Sequence, residues 1–300
     1  MKRIAIFAHY SKDSKIDDYV IFYLKELKKV AESIIFVSDS NIEEKELDKI
    51  KEYTIKSIAR RHGEYDFGSY KRGFIYALEN NLLSDYDELI FANDSCYAPL
   101  FPFKEMFNVM SYKKLDFWGA SQNGWKNQYS NIPPHIQSFF IVFKNNVFIS
   151  DYFIDFITSI KKHDSKHKLV IEYEIGLTLF LEKHNLFWNV YSEISKTVEN
   201  ATLVGYKRMI MEDKFPFIKR SLILLKEQKV NLPIGIKKFI IKNTKYNFEL
   251  IENDKKKNLN KFNIFHFLTS IRKKLFKIHL SEHRISILGK WYYLKKGQNT

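Results

Sequence analysis

The sequence predicts an α/β protein, a mostly parallel sheet flanked by helices. Three observations point there. Short β-rich runs alternate with amphipathic stretches through the first 200 residues, as strands joined by crossover helices do. Several of the runs are almost wholly apolar, as strands covered on both faces require. The chain, with 300 residues of which 45% are hydrophobic and 28% charged, is long enough to bury a core without staples. Its single cysteine, Cys96, excludes an internal disulfide and a multi-cysteine zinc site. Neither GxGxxG nor GxxxxGK[ST] occurs, so a dinucleotide or P-loop site is not expected.

In order, Arg3–Ala8 (RIAIFA) reads as a strand, and Asp17–Lys29 as a helix with Val20, Tyr23, Leu24 and Leu27 on one face. Ser33–Ser38 (SIIFVS) is a second strand, Glu43–Lys51 a polar helix and Tyr53–Ala59 a weaker strand. Ser69–Asn80 reads as a helix, Glu88–Ala92 (ELIFA) as a buried strand, Phe103–Lys113 as a helix and Asp116–Ala120 as a strand. Gln137–Phe143 (QSFFIVF) is strongly apolar and strand-like; Ile175–His184 is helical and Phe187–Tyr191 strand-like. Ligands of such sheets bind beyond the carboxyl ends of the strands, so the loops that follow strands hold the candidates.

The net charge of +14 is concentrated. Residues 201–300 carry 23 Lys+Arg against 7 Asp+Glu, whereas residues 1–200 carry 26 against 28. A basic region on a near-neutral body predicts an anionic partner. In Asn263–Ser281 the apolar residues Ile264, Phe265, Phe267, Leu268, Ile271, Leu275, Phe276 and Ile278 recur at helical spacing among Arg272, Lys273, Lys274 and Lys277, and Pro233–Lys242 is similar. This fits either a basic amphipathic helix lying on an anionic membrane surface or a helix packed on the body with solvated lysines. Nucleic acid is not expected, because no recognition signature accompanies the charge. The predicted division is residues 1–205, catalytic, and 206–300, a basic helical region for membrane or acceptor. The N-terminus reads as a strand, without a cleavable signal, and no run approaches a membrane span, so a cytoplasmic chain, peripheral on the inner face of the cell membrane, is expected.

Three loops carry chemistry. In RRHGEYDFGSYKR (60–72), Gly68-Ser69 would offer free N–H groups to an anion, Asp66 could accept from a base or ribose, and Lys71 and Arg72 add charge; a plain helix cap is the alternative. In Asn93-Asp94-Ser95, a carboxylate ending a buried strand suits a divalent cation, Mg²⁺ or Mn²⁺, bridging to a diphosphate, or a capping turn. In VIEYEIGLT (170–178), Glu172 and Glu174 stand at a helix mouth, where one could serve as general base. His135 and Gln137, in PPHIQSFF, are acceptor-side or structural candidates. Trp118 and Trp125 could stack on a base or sugar, or pack in the core.

Taken together, EYDFGSYKRG (64–73), FANDSCYAPLFPFKEMF (91–107), DFWGAS (116–121), HIQSFFIVFK (135–144), IEYEIGLT (171–178) and FPFIKR (215–220) resemble the rhamnan synthesis protein F family of bacterial glycosyltransferases, in that family's order. The opening FAHYSKDSKIDDYVIFYL is similar too, while Arg61-His62-Gly63 departs from the usual polar pair. The resemblance implies a GT-A-like nucleotide-sugar fold. It also implies transfer of a sugar, L-rhamnose from dTDP-L-rhamnose in the best-known members, to a lipid-linked surface glycan. It sets Asn93-Asp94-Ser95 where such folds keep a metal motif, with Asp94 and Ser95 as ligands. It sets IEYEIGLT where inverting members keep an acidic base, the register favouring Glu172 over Glu174. It adds Arg220 to the donor contacts. Three alternatives stay open: another nucleotide sugar, a basic nucleic-acid-binding protein, and an inactive scaffold.

Overall fold

The computed structural model describes residues 1–127, 130–224, 234–258, 276–279, 284–287 and 290–293. The chain forms two compact units, Met1–Leu250 and Ile251–Thr300.

In the first unit, strand Arg3–His9 (β1) leads through helix Asp18–Leu27 (α1) to Ser33–Ser38 (β2). Glu44–Leu47 (α2) precedes Lys56–Ala59 (β3), and Tyr65–Glu79 (α3) precedes Glu88–Asn93 (β4). Next come Cys96–Tyr97 (β5), Phe103–Ser111 (α4), Phe117–Gly119 (β6), a hairpin of Gln122–Asn127 (β7) and Ser130–Ile136 (β8), and Phe140–Lys144 (β9). Asn145–Phe148 (α5) and Asp151–Ser159 (α6) follow. A helical run then joins Lys166–Leu169 (α7), a π turn Val170–Ile175 and Gly176–Lys183 (α8), before Trp188–Val190 (β10). Ala201–Val204 (α9), Tyr206–Glu212 (α10), Ile218–Lys219 (β11), Ser221–Leu224 (α11) and Ile234–Asn243 (α12) complete it.

Seven strands form the main sheet in the order β10-β6-β9-β4-β1-β2-β3. β1 pairs parallel with β2 and β4, β2 with β3, and β10 with β6, whereas β9 runs antiparallel between β4 and β6. The sheet is thus mostly parallel and helix-flanked, as the alternation predicts. β2 spans the predicted residues, and β4 is buried along its whole length. The abundant aromatics fill the core. Tyr70 stacks on Phe91 at 4.4 Å between ring centroids, and Phe91 and Phe153 each meet Phe143 edge-on.

Helix α3 lies close on β1 and β2 because Gly73 has no side chain: a Cβ there would stand 2.4 Å from Cγ2 of Ile6 and 3.2 Å from Cγ2 of Val37. Gly73→Ala is therefore expected to overpack this contact and cost about 1–3 kcal/mol, read as a lower unfolding midpoint in urea with an unchanged slope.

The structure differs from the sequence reading in three places. The compact units divide at Leu250, with residues 206–250 in the first of them, where the sequence reading draws a division at 205. β11 ties them there by pairing antiparallel with β5, Lys219 opposite Cys96. Helix α3 begins at Tyr65 rather than Ser69. The third concerns the second unit, an antiparallel meander of Phe276–His279 (β12), Arg284–Ile287 (β13) and Lys290–Tyr293 (β14). Phe276, Lys277 and Ile278 are thus strand residues, not the end of a helix; residues 263–275 of that predicted helix lie outside the described residues. The predicted Pro233–Lys242 helix is present as α12. Among the described residues no helix is long and apolar enough to cross a membrane.

Candidate active site

The parallel strands β1, β2, β3 and β4 end together, and a cleft of about 870 Å³ opens beyond their carboxyl ends. His9 comes from the end of β1, Asp39 from just past β2, Arg61 from past β3, and Asn93, Asp94 and Ser95 from the end of β4. Two further walls close it. One is the helical run that begins at Lys166, which contributes Lys166 and Glu174; the other carries Lys219 and Arg220. The second wall exists because the β5–β11 pairing lays FPFIKR alongside NDSCY. The Arg220 backbone N–H donates to the Ser95 carbonyl at 2.9 Å, and Lys219 Nζ donates to Ser95 Oγ at 3.3 Å. Residues 124 positions apart in the chain thus face one space.

Asp94 is buried, 7% exposed, and its Oδ2 accepts from the Tyr10 backbone N–H at 3.0 Å, with His9 Nε2 3.8 Å away. His9 is held in turn by Ser38, 2.9 Å from its Nδ1. Asn93 bridges the loop: its amide donates to Asp66 Oδ2 at 2.8 Å, and its Oδ1 accepts from the Ser95 N–H and hydroxyl. Burial, then the negative charge of Asp94, pushes Asp66 up to about 6. Two carboxylates that repel one another beside lysines fit a cation completed by phosphate oxygens, since Mg²⁺ takes one or two carboxylates plus phosphate. Among the described residues no cluster of three or more His, Cys, Asp or Glu is arranged to hold a metal. Asp94 and Asp66 could hold a Mg²⁺ or Mn²⁺ whose remaining ligands come from an anionic substrate, and Ser95, its hydroxyl turned to Asn93, adds polarity at the same rim.

The raised Asp66 carboxyl makes a stability prediction. The protonated form suits the folded state, so its contribution is full below the ordinary value of 3.8 and lost as pH rises through about 6. Asp66→Asn is expected to melt a few degrees above the parent at pH 7.5, a difference that disappears at pH 4. Thermal unfolding at the two pH values measures this; equal midpoints throughout would remove the charge conflict.

The two glutamates separate. Residues two apart on a helix face different ways, so one of them at most can enter the cleft. Glu174 does. Its carboxylate accepts from the Ser138 backbone N–H at 3.0 Å and from the Ser138 hydroxyl, and His135 Nε2 lies 3.8 Å from its Oε1. Burial pushes Glu174 up, but His135, Ser138 and the Lys219 charge outweigh it and hold the carboxyl below its ordinary value. Glu172 does not line the cleft; its side chain is 55% exposed and pairs with His163 Nε2 at 3.1 Å. The cleft thus takes Glu174, where the sequence reading favours Glu172. The predicted helix mouth is also displaced, since helix starts at Lys166 and both glutamates sit in the π turn, an insertion common at functional sites. Glu172→Gln is accordingly expected to leave turnover within about twofold of the parent, read in the same assay as Glu174→Gln.

Other predicted residues fall elsewhere. Gly68 lies within α3, and its N–H donates to the Glu64 carbonyl at 3.1 Å, so it is not free for an anion. Lys71 donates to the Ile160 carbonyl at 2.8 Å and Arg72 pairs with Glu64; neither lines the cleft. Trp118 is core, edge-on to Phe107. The Trp125 side chain lies outside the described residues. Gln137 lines the cleft while accepting from Ser121 Oγ at 2.8 Å; His135 stands behind Glu174. The guanidinium of Arg220 lies over the Tyr19 ring at 4.6 Å. Asp39 went unnoticed in the sequence. Buried at the end of β2, its Oδ1 accepts from the N–H groups of His62 and Gly63, fixing the departing Arg61-His62-Gly63 loop at the cleft's edge. Its only signal was position: a carboxylate directly after a buried strand.

Fold and cleft define an α/β protein whose site lies at the carboxyl edge of a parallel sheet, with carboxylates on its floor and cations on its walls. The chain belongs to the rhamnan synthesis protein F family, whose model matches residues 34–297. It is 26% identical over 147 residues to the uncharacterized protein y4gN of Sinorhizobium fredii (strain NBRC 101917 / NGR234), a match covering 48% of this chain and 37% of that protein. Among solved structures it is similar to a cytidylyltransferase from Leptospira borgpetersenii serovar Hardjo-bovis (15% identity, 82% of this chain and 98% of that one, TM-score 0.40). It is also similar to core-mannan synthase A of Aspergillus fumigatus in an Mn/GDP form (11% identity, 61% and 72%, TM-score 0.35). At these scores neither similarity bears on activity.

Proposed function

We propose that the chain is a glycosyltransferase that moves a sugar from a nucleotide donor to a glycan hydroxyl with inversion. The observation that carries this is the shared cleft: Asp94 at the end of β4 and Glu174 in the π turn face one space, with Lys219 and Arg220 opposite. A donor diphosphate suits the end where Asp94 and Asp66 meet Lys219, because its charge needs both a cation bridge and fixed positive groups. A bound Mg²⁺ or Mn²⁺ supplies charge neutralisation on the departing nucleoside diphosphate. Glu174, held ionised by its neighbours, accepts the proton of the acceptor hydroxyl as that oxygen attacks the anomeric carbon. Lys219 and Arg220 steady the leaving diphosphate.

L-Rhamnose from dTDP-L-rhamnose is the donor we favour, and its support is the family to which the chain belongs. A lipid-linked surface glycan is the acceptor we favour. The 23 cations against 7 acids of residues 201–300 support contact with an anionic membrane surface, where each well-placed cation is worth about 1 kcal/mol. The test is a transfer assay with a panel of nucleotide sugars, including dTDP-L-rhamnose, and membrane-extracted acceptor. Sugar incorporation from one donor above the rest is expected. Neither transfer nor donor hydrolysis from any of them would overturn the reading.

A further inference from the structure

Gln137 lines the cleft, and the chemistry proposed for Glu174, Asp94 and Lys219 leaves its amide without a task. The residue is 8% exposed and held from behind. Ser121, wholly buried, donates its hydroxyl to Gln137 Oε1 at 2.8 Å and has no other side-chain partner among the described residues. A buried hydroxyl must place its proton, so the amide oxygen faces Ser121 and the NH₂ group turns the other way. That nitrogen donates to none of the described residues and is not sealed from water, so it opens on the cleft that the residue lines. The next residue, Ser138, donates its N–H and hydroxyl to Glu174. An oriented donor thus stands one residue from the group that grips the carboxylate.

A second amide belongs to the same cleft. Asn200 lines it and precedes α9 with a left-handed φ of 51°. Asn is a favoured helix cap, yet here its side chain makes no cap bond and no other bond to the described residues. One strand fixes both amides. The Gln137 backbone N–H donates to the Ser121 carbonyl at 3.0 Å, just ahead of β7. The Asn200 backbone N–H donates to Asn123 Oδ1 at 2.9 Å, two residues further along. That step along a strand is about 7 Å, a span that one sugar ring with its hydroxyls can bridge.

We infer that Gln137 and Asn200 form the subsite for the acceptor sugar, an uncharged pyranose; this rests on the reading of Glu174 as base. A diphosphate does not suit these groups. Both are neutral amides, whereas Asp94, Asp66 and Lys219 carry the charges that a metal-bridged diphosphate needs. Sugar hydroxyls do suit them. A hydroxyl oxygen accepts from the Gln137 NH₂, and an amide such as Asn200 both donates to a hydroxyl and accepts from one. Held by one hydroxyl at Gln137, the ring presents its neighbour to Glu174. Both amides bind and orient the acceptor, and neither gains or loses a proton.

The test is saturation-transfer NMR on the full chain with methyl rhamnoside, glucoside, galactoside and N-acetylglucosaminide, in the presence of dTDP and Mg²⁺. Two variants are compared with the parent. Gln137→Met is made together with Ser121→Ala, so that no buried hydroxyl is orphaned. Asn200→Gly keeps the left-handed backbone and removes the amide. At least one pyranoside is expected to bind the parent and to lose about fivefold or more in affinity in each variant, the scale of one hydrogen bond, while dTDP binds all three chains alike. If the double variant does not fold, Asn200→Gly decides alone. No pyranoside binding in the parent, or equal binding in the parent and either variant, would overturn the proposal. A loss of dTDP affinity in place of pyranoside affinity would also overturn it, because the amides would then serve the donor. Pyranoside binding that depends on both amides, in a chain without transfer or donor hydrolysis, would uphold the subsite and sink the enzyme reading. Transfer by a chain whose variants keep the parent's acceptor KM would do the reverse.

Discussion

Glu174→Gln is expected to lower kcat by about 10² to 10⁴, the range that a positioned general base supplies, while donor binding stays near that of the parent. The substitution is close to isosteric. Its amide oxygen can still accept from the Ser138 N–H and hydroxyl, so the π turn and the cleft keep their shape. What it removes is the ability to take a proton. A drop in kcat with an unchanged donor dissociation constant separates lost chemistry from lost binding, and the near-neutral Glu172→Gln serves as the internal control. Turnover within a few-fold of the parent would remove Glu174 from the mechanism.

Asp94→Asn is expected to be at least as damaging, through a different link. Asn retains an oxygen for the Tyr10 N–H, so the end of β4 stays closed and the thermal midpoint changes little. It removes a negative charge beside Asp66, so that burial, the larger cause, is left to hold that carboxyl up with less help. One carboxylate then faces the diphosphate end alone. Transfer should fall by about two orders of magnitude or more, the scale of lost electrostatic stabilisation at a reacting centre, and added Mn²⁺ should restore it only in part. Full activity with saturating metal would show that Asp94 is a structural cap.

Much of this was legible from residues alone. SIIFVS, ELIFA and the helices between them are local signals, and the sheet follows from their alternation. Asp94 was legible because a charge closing a buried strand demands a partner. Other parts were hidden for identifiable reasons. The β7–β8 hairpin carries QNGWKN and SNIPPHI, polar and proline-bearing, because it stands apart from the main sheet; its bulge at Gly124, with φ of +94° and the Pro133 oxygen 2.2 Å from a would-be Cβ, is visible only in three dimensions. Helix α3 starts four residues early, at Tyr65, whose left-handed φ of 56° no local pattern announces. The choice between Glu172 and Glu174 depended on which helix face meets the cleft. The helix was read as starting after them, so their opposed directions carried no weight. Lys219 reached the site through a two-residue strand pairing with β5, a long-range contact that only the shared motif FPFIKR foreshadowed.

The most direct measurement is calorimetric titration of the full chain with a nucleoside diphosphate, with and without Mn²⁺, repeated on Asp94→Asn. Tight binding that requires the cation in the parent and loses that requirement, along with most of its affinity, in the variant is the predicted result. Binding of equal strength in both chains, indifferent to Mn²⁺, would contradict it.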